Sequence, residues 1–237
     1  DEILFRQPEG THHGDCPICL LPLLADPKKF GVHACCSKVI CDGCNYASEK
    51  SMIEQRQHPA CPFCRHPTPK TDAEIGILSM KRAMANDPSA LRAVGALRDH
   101  EEDYEEAFEY YTKAAELGDV NAHYQLAFMY HAGIGVEKDE KKEVYHLEKA
   151  AIGGNVLARH NLGCHEGNNG RMERAVKHFI IAANMGYDES MKALWNCHAR
   201  GLVKKEDLTV TLRAHQAAVD ATKSAQREEA EEFLKRN

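Results

Sequence analysis

The chain has 237 residues, of which 43% are hydrophobic and 28% charged, and its formal net charge at pH 7 is −6. A slightly acidic chain without a block of basic residues has no feature that would neutralise nucleic-acid phosphates, so we expect no nucleic-acid partner. No apolar run approaches the roughly 20 residues that a membrane-spanning helix needs, so we expect no membrane segment.

Cysteine is concentrated near the beginning of the chain. Eight of the ten cysteines lie within residues 16–64, and the others are Cys164 and Cys197. Without a secretory feature, paired C-x-x-C motifs indicate metal sites rather than disulfides, and we expect an intracellular protein, cytoplasmic or nuclear. The chain begins at Asp1 instead of Met, which leaves open a missing upstream segment and a lost targeting signal.

The eight clustered cysteines form four pairs, and each pair is half of a metal site. Zinc prefers four ligands in a tetrahedral arrangement, and thiolate or imidazole suits it best. Four pairs therefore predict two structural zinc sites, each closed by four ligands. A segment of about 50 residues buries too little apolar surface to fold alone. Metal binding, worth about 10–16 kcal/mol per structural site, would supply the missing stability. The pairs are Cys16 with Cys19, Cys35 with Cys36, Cys41 with Cys44, and Cys61 with Cys64.

The segment from Cys16 to Arg65 resembles a RING-type zinc finger of the all-cysteine variant. The motifs that carry the resemblance are "CPICL" at its start and "CPFCR" at its end, with two ligand groups between them. In RING fingers the pairs interleave, which implies one ion held by Cys16, Cys19, Cys41 and Cys44 and a second ion held by Cys35, Cys36, Cys61 and Cys64. The adjacent Cys35 and Cys36 depart from the usual one-residue gap, so His33 is a possible substitute for Cys35. We favour Cys35, because thiolate is the softer ligand.

A LIM-type tandem finger is the rival interpretation, in which the ligands are used in sequential order. The first ion would then take Cys16, Cys19, His33 and Cys36, and the second Cys41, Cys44, Cys61 and Cys64. LIM fingers have two residues between their halves, whereas four residues separate Cys36 from Cys41 here. The prolines inside both outer C-x-x-C pairs and the basic residue after Cys64 also favour a RING finger.

A RING finger positions a reaction and contributes no covalent catalytic residue. It docks a ubiquitin-charged conjugating enzyme and holds the thioester in a reactive pose. The resemblance assigns the docking contacts to Ile18, Pro62 and Arg65, the last bridging conjugating enzyme and ubiquitin through its planar guanidinium. Many active RING fingers carry a large aromatic residue in the helix between the sixth and seventh ligands, where this chain offers Met52 and Ile53.

The remainder of the chain has a helical pattern with a repeat. A capping box at Thr71 and Glu74 begins a connecting helix that we expect to run to about residue 86. Similar segments that end in Gly118, Gly154 and Gly186 then recur at intervals of 36 and 32 residues, each with paired alanines before the glycine. They resemble Sel1-like repeats, relatives of tetratricopeptide repeats, which bind proteins.

These patterns predict a small zinc-stabilised α+β RING-like module followed by an all-α solenoid of helix-turn-helix repeats. The expected domains are the finger at 12–68, a connecting helix at 69–86, about four repeats at 87–222 and a C-terminal capping helix at 223–237. The leading hypothesis is a ubiquitin ligase whose finger docks the conjugating enzyme and whose repeats recruit a protein target. The alternative is a non-catalytic adaptor with a RING- or LIM-like structural module. A metalloenzyme ranks third, because eight cysteines close both sites, and the oligomeric state stays open.

Overall fold

The protein is described from a computed structural model that covers residues 1–23, 26 and 29–236. Four residues of the predicted finger and the last residue of the predicted capping helix lie outside this described part. The chain divides into two compact units. One comprises Asp1–His12 with Asp119–Ala221, and the other comprises His13–Gly118 with Thr222–Asn237.

A short hairpin and a helix form the cysteine-rich part of the second unit. Strands β1 (Phe30–His33) and β2 (Lys38–Cys41) pair antiparallel, with Phe30 opposite Cys41. The hairpin turn is closed by the backbone N–H groups of Cys36 and Ser37, which both donate to the carbonyl oxygen of His33. Helix α1 (Asp42–Glu54) follows β2 without a loop, so a cysteine at the end of the strand meets one in the first helical turn.

The two outer C-x-x-C pairs adopt the same tight turn. The N–H of Leu20 donates to the carbonyl of Cys16, and the N–H of Arg65 donates to the carbonyl of Cys61, each over 2.9 Å. Leu20 and Arg65 have φ of 57° and 63°, a left-handed conformation that residues other than glycine seldom adopt. This turn directs both sulfurs of a pair towards one point, and it fixes the backbone of the residue that follows the second cysteine.

Three more helices of this unit follow the finger. They are α2 (Asp72–Ala83), α3 (Pro88–His100) and α4 (Tyr104–Glu116). The predicted capping box begins α2: the Thr71 hydroxyl accepts the N–H of Glu74, while the Glu74 carboxylate accepts the N–H of Lys70. Helices α3 and α4 pack closely because Gly95 has no side chain where the ring of Tyr111 lies.

The other unit contains six helices in its described residues, and they pack as antiparallel neighbours. The glycines that the repeat pattern singled out follow the second helix of each pair: Gly118, Gly154 and Gly186 have φ between 84° and 91°. The paired alanines before them are buried and let the helices approach closely. The helices are α5 (Val120–Ala132), α6 (Glu140–Ile152), α7 (Val156–Asn168), α8 (Met172–Asn184), α9 (Asp188–Ala199) and α10 (Lys205–Asp220).

The last helix, α11 (Ala225–Arg236), returns to the finger. It packs along α1, where the rings of Tyr46 and Phe233 lie 4.9 Å apart and Lys50 forms an ion pair of 2.7 Å with Glu229. The sequence predicted a cap for the open end of the repeats, whereas the packing observed for this helix is on the finger. Its local pattern shows a polar helix with few apolar residues, and such a pattern does not specify which distant surface the helix contacts.

The architecture is therefore the predicted one, a small α+β module with clustered cysteines followed by helix-turn-helix repeats. None of the helices in the described part of the chain combines the length and the apolarity that crossing a bilayer requires.

A buried histidine makes the repeat unit sensitive to acid. The ring of His178 is 0% exposed, and neither ring nitrogen has a hydrogen-bond partner. Burial, with a smaller contribution from the nearby charge of Arg159, lowers the pKa of His178 to about 4, and Glu166 opposes this shift. In the unfolded chain this pKa is about 6.5, so the unfolded state binds the proton first as the pH falls. Above pH 6.5 His178 is neutral in both states and does not oppose folding. As the pH falls towards 4, the unfolded state takes up the proton and the folded state loses this stability.

Between pH 6 and 4.5 we expect His178 to lower the free energy of unfolding by up to about 1.4 kcal/mol for each pH unit. The variant His178→Leu should flatten that slope, because leucine fills the space and takes up no proton. Urea unfolding followed by circular dichroism at pH 7.5, 6 and 5 measures it. His100→Leu, at an exposed position of α3, is the matched control. Equal slopes for wild type and His178→Leu would contradict this assignment.

Candidate metal sites and docking face

Four cysteines from two separate segments converge at the first candidate metal site. The sulfurs of Cys16, Cys19, Cys41 and Cys44 all lie within 4.8 Å of one another. The sulfurs of Cys19 and Cys41, from different segments, are 3.8 Å apart. Cys41 also begins α1 as its N-cap, and its sulfur accepts the N–H of Cys44 over 3.4 Å. Most of this site is buried.

The second candidate site joins the hairpin turn to the last C-x-x-C pair. The sulfurs of Cys35, Cys36, Cys61 and Cys64 also lie within 4.8 Å of one another. The sulfur of Cys35 lies 3.3 Å from that of Cys64, and the sulfur of Cys36 lies 3.9 Å from that of Cys61. Cys61 is buried and Cys64 is exposed, so this site lies nearer the surface than the first.

Both groups of sulfurs fit a tetrahedral metal ion. A zinc–sulfur bond of about 2.3 Å places the sulfurs of a tetrahedral site about 3.8 Å apart. Three of the sulfur–sulfur distances, at 3.3, 3.8 and 3.9 Å, lie near that value, no distance within a group exceeds 4.8 Å, and all eight cysteines are free thiols. Four soft donors with no fifth position suit zinc, in a structural role. The two clusters can therefore hold metal ions, and their chemistry is compatible with zinc.

The structure groups the cysteines in the interleaved order. Cys16 and Cys19 lie with the pair at the start of α1, whereas the sequential LIM-type order would need them beside Cys36. His33, the possible substitute for Cys35, belongs to neither group, and its Nε2 lies 2.9 Å from the Oδ1 of Asn45. The geometry therefore brings Cys35, and not His33, to the second site.

The electrostatics of the thiols follow from burial and crowding. Burial raises the pKa of Cys44, and the neighbouring sulfur of Cys41 raises it further. Burial likewise raises the pKa of Cys36 to about 11. At Cys16 burial acts in the same direction, but hydrogen bonds from backbone N–H groups, that of Cys19 first, lower the pKa to about 7. Because a metal ion binds thiolates, its affinity for these sites rises with pH.

An arginine from α11 lies against the first site, and the sequence pattern did not reveal it. The guanidinium of Arg227 donates to the sulfur of Cys19 over 3.4 Å and to the carbonyl oxygens of Leu21 and Pro22 over 3.1 and 2.8 Å. Its helix reaches this position because Gly43 has no side chain, and a Cβ there would lie 2.8 Å from the backbone of Arg227. The only sequence signal is a lone arginine in the acidic run "QREEAEE".

The three predicted docking residues stand at the surface of the finger. Ile18 is 42% exposed although it lies between two metal ligands, Pro62 is half-buried and Arg65 is exposed. Helix α11 covers Tyr46 and Lys50, which lie on one face of α1.

The helix α1 supplies an aliphatic side chain to the finger surface. Of the two residues that stand in place of the expected aromatic, Met52 is buried and accepts the N–H of Ala60, whereas Ile53 is 70% exposed. Three further exposed apolar residues were not singled out by the sequence pattern. They are Leu20, Val32 and Phe63, and the ammonium of Lys38 lies 5.6 Å from the ring centroid of Phe63.

Comparisons with known proteins agree with this architecture. Residues 88–119, 120–155 and 156–187 match the Sel1 repeat family. Over 66 residues the chain is 33% identical to ORF96 of Ostreid herpesvirus 1 (isolate France), whose name describes it as a RING finger protein. That match covers 28% of this chain and 28% of the relative, so the chain spans about a quarter of that protein's length.

Two solved structures share the helical fold. A Sel1 repeat protein from Oxalobacter formigenes superposes with a TM-score of 0.56 at 20% identity, over 81% of this chain and 86% of the other. The protective antigen c5321 of uropathogenic Escherichia coli strains, which displays an SLR fold, superposes with a TM-score of 0.53 at 22% identity. That likeness covers 75% of this chain and 38% of the antigen, and at these identities both matches show the fold alone.

The matches bear out the two resemblances read from the sequence. Residues 88–187 match the Sel1 repeat family, and the cysteine clusters together with the relative's name are consistent with a RING-like finger. Such repeats imply a role in protein–protein interaction. Of the four predicted repeats, three are matched, and the fourth, where α9 and α10 lie, stays a prediction.

We expect two zinc ions per chain, one for each group of four cysteines, measured by elemental analysis of the purified protein. Cys16→Ser should lose one ion, because three thiolates and a hydroxyl no longer close the site. Chelation should unfold the finger while the repeats keep their helical circular dichroism signal. Cys164→Ser, outside both groups, is the matched control and should keep both ions. A single ion in the wild type, or loss of repeat helicity on chelation, would contradict the assignment.

Removing the guanidinium of Arg227 should loosen the first site. We expect Arg227→Gln to release its metal roughly 10-fold faster to a chromophoric chelator, since residues that bond to ligands affect metal affinity by 10–100-fold. The control is Arg236→Gln on the same helix, where the guanidinium bonds to Glu232 at the surface. Equal release rates for the two variants would show that α11 does not support the site.

Proposed function

We propose that this chain, with its RING-like cysteine module and Sel1 repeats, is a RING-type ubiquitin ligase. The finger would hold two zinc ions, dock a ubiquitin-charged conjugating enzyme and position its thioester for attack by a lysine of a target. The observation that carries the proposal is the interleaved grouping of the cysteines, with Ile18 and Arg65 exposed on the two outer C-x-x-C turns.

The turn geometry supports the roles assigned to these residues. Each outer C-x-x-C turn would be fixed at its metal ion by two thiolates, so the residues within and directly after it have little freedom. Ile18 then offers a rigid apolar contact. Arg65 follows the last ligand in a left-handed conformation and presents a charged fork of hydrogen-bond donors. Neither role requires a covalent step by this chain, because the reactive thioester belongs to the conjugating enzyme.

The Sel1 repeats would recruit the protein to be modified. Arrays of helical pairs bind other proteins along extended surfaces, and they bring a target near the finger when both are in one chain. We also propose that the protein works in the cytoplasm or nucleus. There the reducing conditions keep its eight clustered cysteines as thiols available to metal.

A non-catalytic adaptor is the second candidate, and one observation favours it. Of Met52 and Ile53, the exposed residue is the aliphatic Ile53, where many active RING fingers have a large aromatic side chain. A smaller contact surface on this helix would weaken docking of the conjugating enzyme. The finger would then serve only as a metal-stabilised binding module.

Discharge of ubiquitin from a panel of charged conjugating enzymes onto free lysine separates the two candidates. We expect the wild type to accelerate discharge from at least one enzyme. Ile18→Ala and Arg65→Ala should each lower the rate at least 10-fold, the effect of losing about 1.4 kcal/mol of positioning energy. Both variants should keep two metal ions, because neither side chain is a ligand.

The matched controls carry the same substitutions at exposed positions outside the finger. Ile77→Ala lies on α2, where the side chain is 68% exposed, and Arg213→Ala lies on α10. Both should discharge ubiquitin at the wild-type rate. If wild-type protein shown to carry two metal ions accelerates discharge from no enzyme of a broad panel, the ligase is rejected and the adaptor is favoured.

A further inference from the structure

The first twelve residues lie along the Sel1 repeats of their own unit and contain neither a regular helix nor a strand. Leu4 is the apolar anchor of this segment and is buried in a cluster with small and aliphatic side chains of three helices. That cluster comprises Ala127, Leu147, Ala150, Ala151, Ala158 and Leu162. The repeats thus form a closed pocket for one leucine of an irregular chain.

A buried arginine recognises the backbone of the same residue. Arg159 on α7 is 1% exposed, and its guanidinium donates to the carbonyl oxygen of Leu4 and to that of Ala151. Burial lowers the pKa of Arg159 to about 10, which shows how unfavourable its charge is at this depth. Without the segment, one of its donors would lose its partner. A buried donor without a partner is unfavourable, so the site favours an extended peptide that brings a carbonyl.

The neighbouring phenylalanine meets a basic surface on α8. The ring of Phe5 lies 4.7 Å from the ring of His178, 4.9 Å from the guanidinium of Arg174 and 5.3 Å from the ammonium of Lys177. Cations placed in this way are attracted to an aromatic face. Arg174 also forms an ion pair of 2.8 Å with Asp1. The surface therefore selects an aromatic residue with an acidic residue a few positions before it.

Side-chain amides extend this recognition towards residue 7. Gln7 donates from Nε2 to the carbonyl oxygen of Ile181 over 3.4 Å, and its Oε1 accepts from the amide of Asn184 over 3.1 Å. Ile3, by contrast, is 70% exposed and takes no part. The contacts thus define a short motif: an acidic residue, two variable positions, adjacent aliphatic and aromatic residues, and an amide two positions later.

We propose that this groove on α5 to α8 is a peptide-binding site and that residues 1–12 occupy it as an intramolecular ligand. The partner it fits is an extended peptide with adjacent leucine and phenylalanine after an acidic residue, and such a peptide competes with the chain's own segment. This inference deepens the binding role proposed for the repeats and does not depend on ligase activity.

Fluorescence anisotropy of a labelled peptide tests the site in the full chain. The probe is an acetylated peptide with the sequence of residues 1–12, DEILFRQPEGTH, labelled at its carboxyl end. Because the tethered segment acts at an effective concentration of about 1 mM, the wild type should bind this probe weakly. The variant Leu4→Ala/Phe5→Ala should bind it at least 10-fold more tightly. The matched control Ile3→Ala, in the same segment, should bind as weakly as the wild type.

Peptide variants keep the test decisive if the double variant does not fold. With wild-type protein, millimolar parent peptide should speed hydrogen exchange at the amides of residues 1–12, because it displaces the segment. A peptide with Ile3→Ala should act like the parent, and a peptide with both Leu4→Ala and Phe5→Ala should have no effect.

Two results would overturn the proposal. One is equal binding of the parent peptide by the wild type and by the folded double variant. The other is unchanged exchange of the segment at saturating peptide. No ubiquitin component is present in either experiment, so failure here is distinguishable from failure of the ligase assay.

Discussion

The convergence of four sulfurs at each candidate metal site is the constraint on which the finger depends. Each group joins two segments of chain, and both groups include residues from the hairpin or the helix that follows it: Cys35 and Cys36 in the turn, Cys41 and Cys44 at the strand–helix junction. Few other apolar side chains in the described part of the finger are buried. A metal-stabilised hairpin therefore has to replace the hydrophobic core that so short a segment cannot build.

That constraint also determines where Ile18 and Arg65, the residues proposed to dock a partner, lie. A side chain inside or directly after a C-x-x-C turn cannot enter the centre of the site, because the sulfurs occupy it. Ile18 and Arg65 are consequently directed outwards, and the left-handed backbone of Arg65 keeps the turn tight. The same geometry that closes the metal sites to catalysis presents the surface on which a partner is expected to dock.

The parts of the fold that depend on local spacing could be predicted from the sequence. Pairs of cysteines two residues apart indicate half-sites by themselves, and glycines such as Gly118 and Gly154 mark helix ends because few other residues adopt a left-handed conformation. The choice between Cys35 and His33 was left open by spacing alone. In the structure the sulfur of Cys35 lies with the second group of cysteines, whereas the ring of His33 bonds to Asn45, ten residues beyond Cys35.

The parts that depend on contacts between distant residues could not be predicted in the same way. The destination of α11 rests on Gly43, Tyr46 and Lys50, none of which is unusual where it stands in the sequence. The packing of residues 1–12 rests on Leu4 and on a cluster assembled from three helices. Hydrophobic periodicity shows that a helix has an apolar face, but a segment without periodicity gives no indication of its partner.

Two arginines hold these irregular segments in the same physical way. Arg227 donates to the carbonyls of Leu21 and Pro22, and Arg159 donates to the carbonyl of Leu4. These carbonyls lie outside the described helices and strands, and a guanidinium offers five donors in a planar fork. An arginine on a rigid helix can therefore hold a stretch of chain through its backbone carbonyls, without contacts to its side chains.

Selectivity must then come from the pockets beside each arginine. At Arg159 that pocket accepts a leucine and the basic face of α8 accepts a phenylalanine, so the repeat unit combines a general contact to backbone with a specific contact to two side chains. At Arg227 the adjoining group is the thiol of Cys19, so the backbone contact is combined with support for a metal ligand. One donor chemistry thus serves peptide recognition in one unit and the candidate metal site in the other.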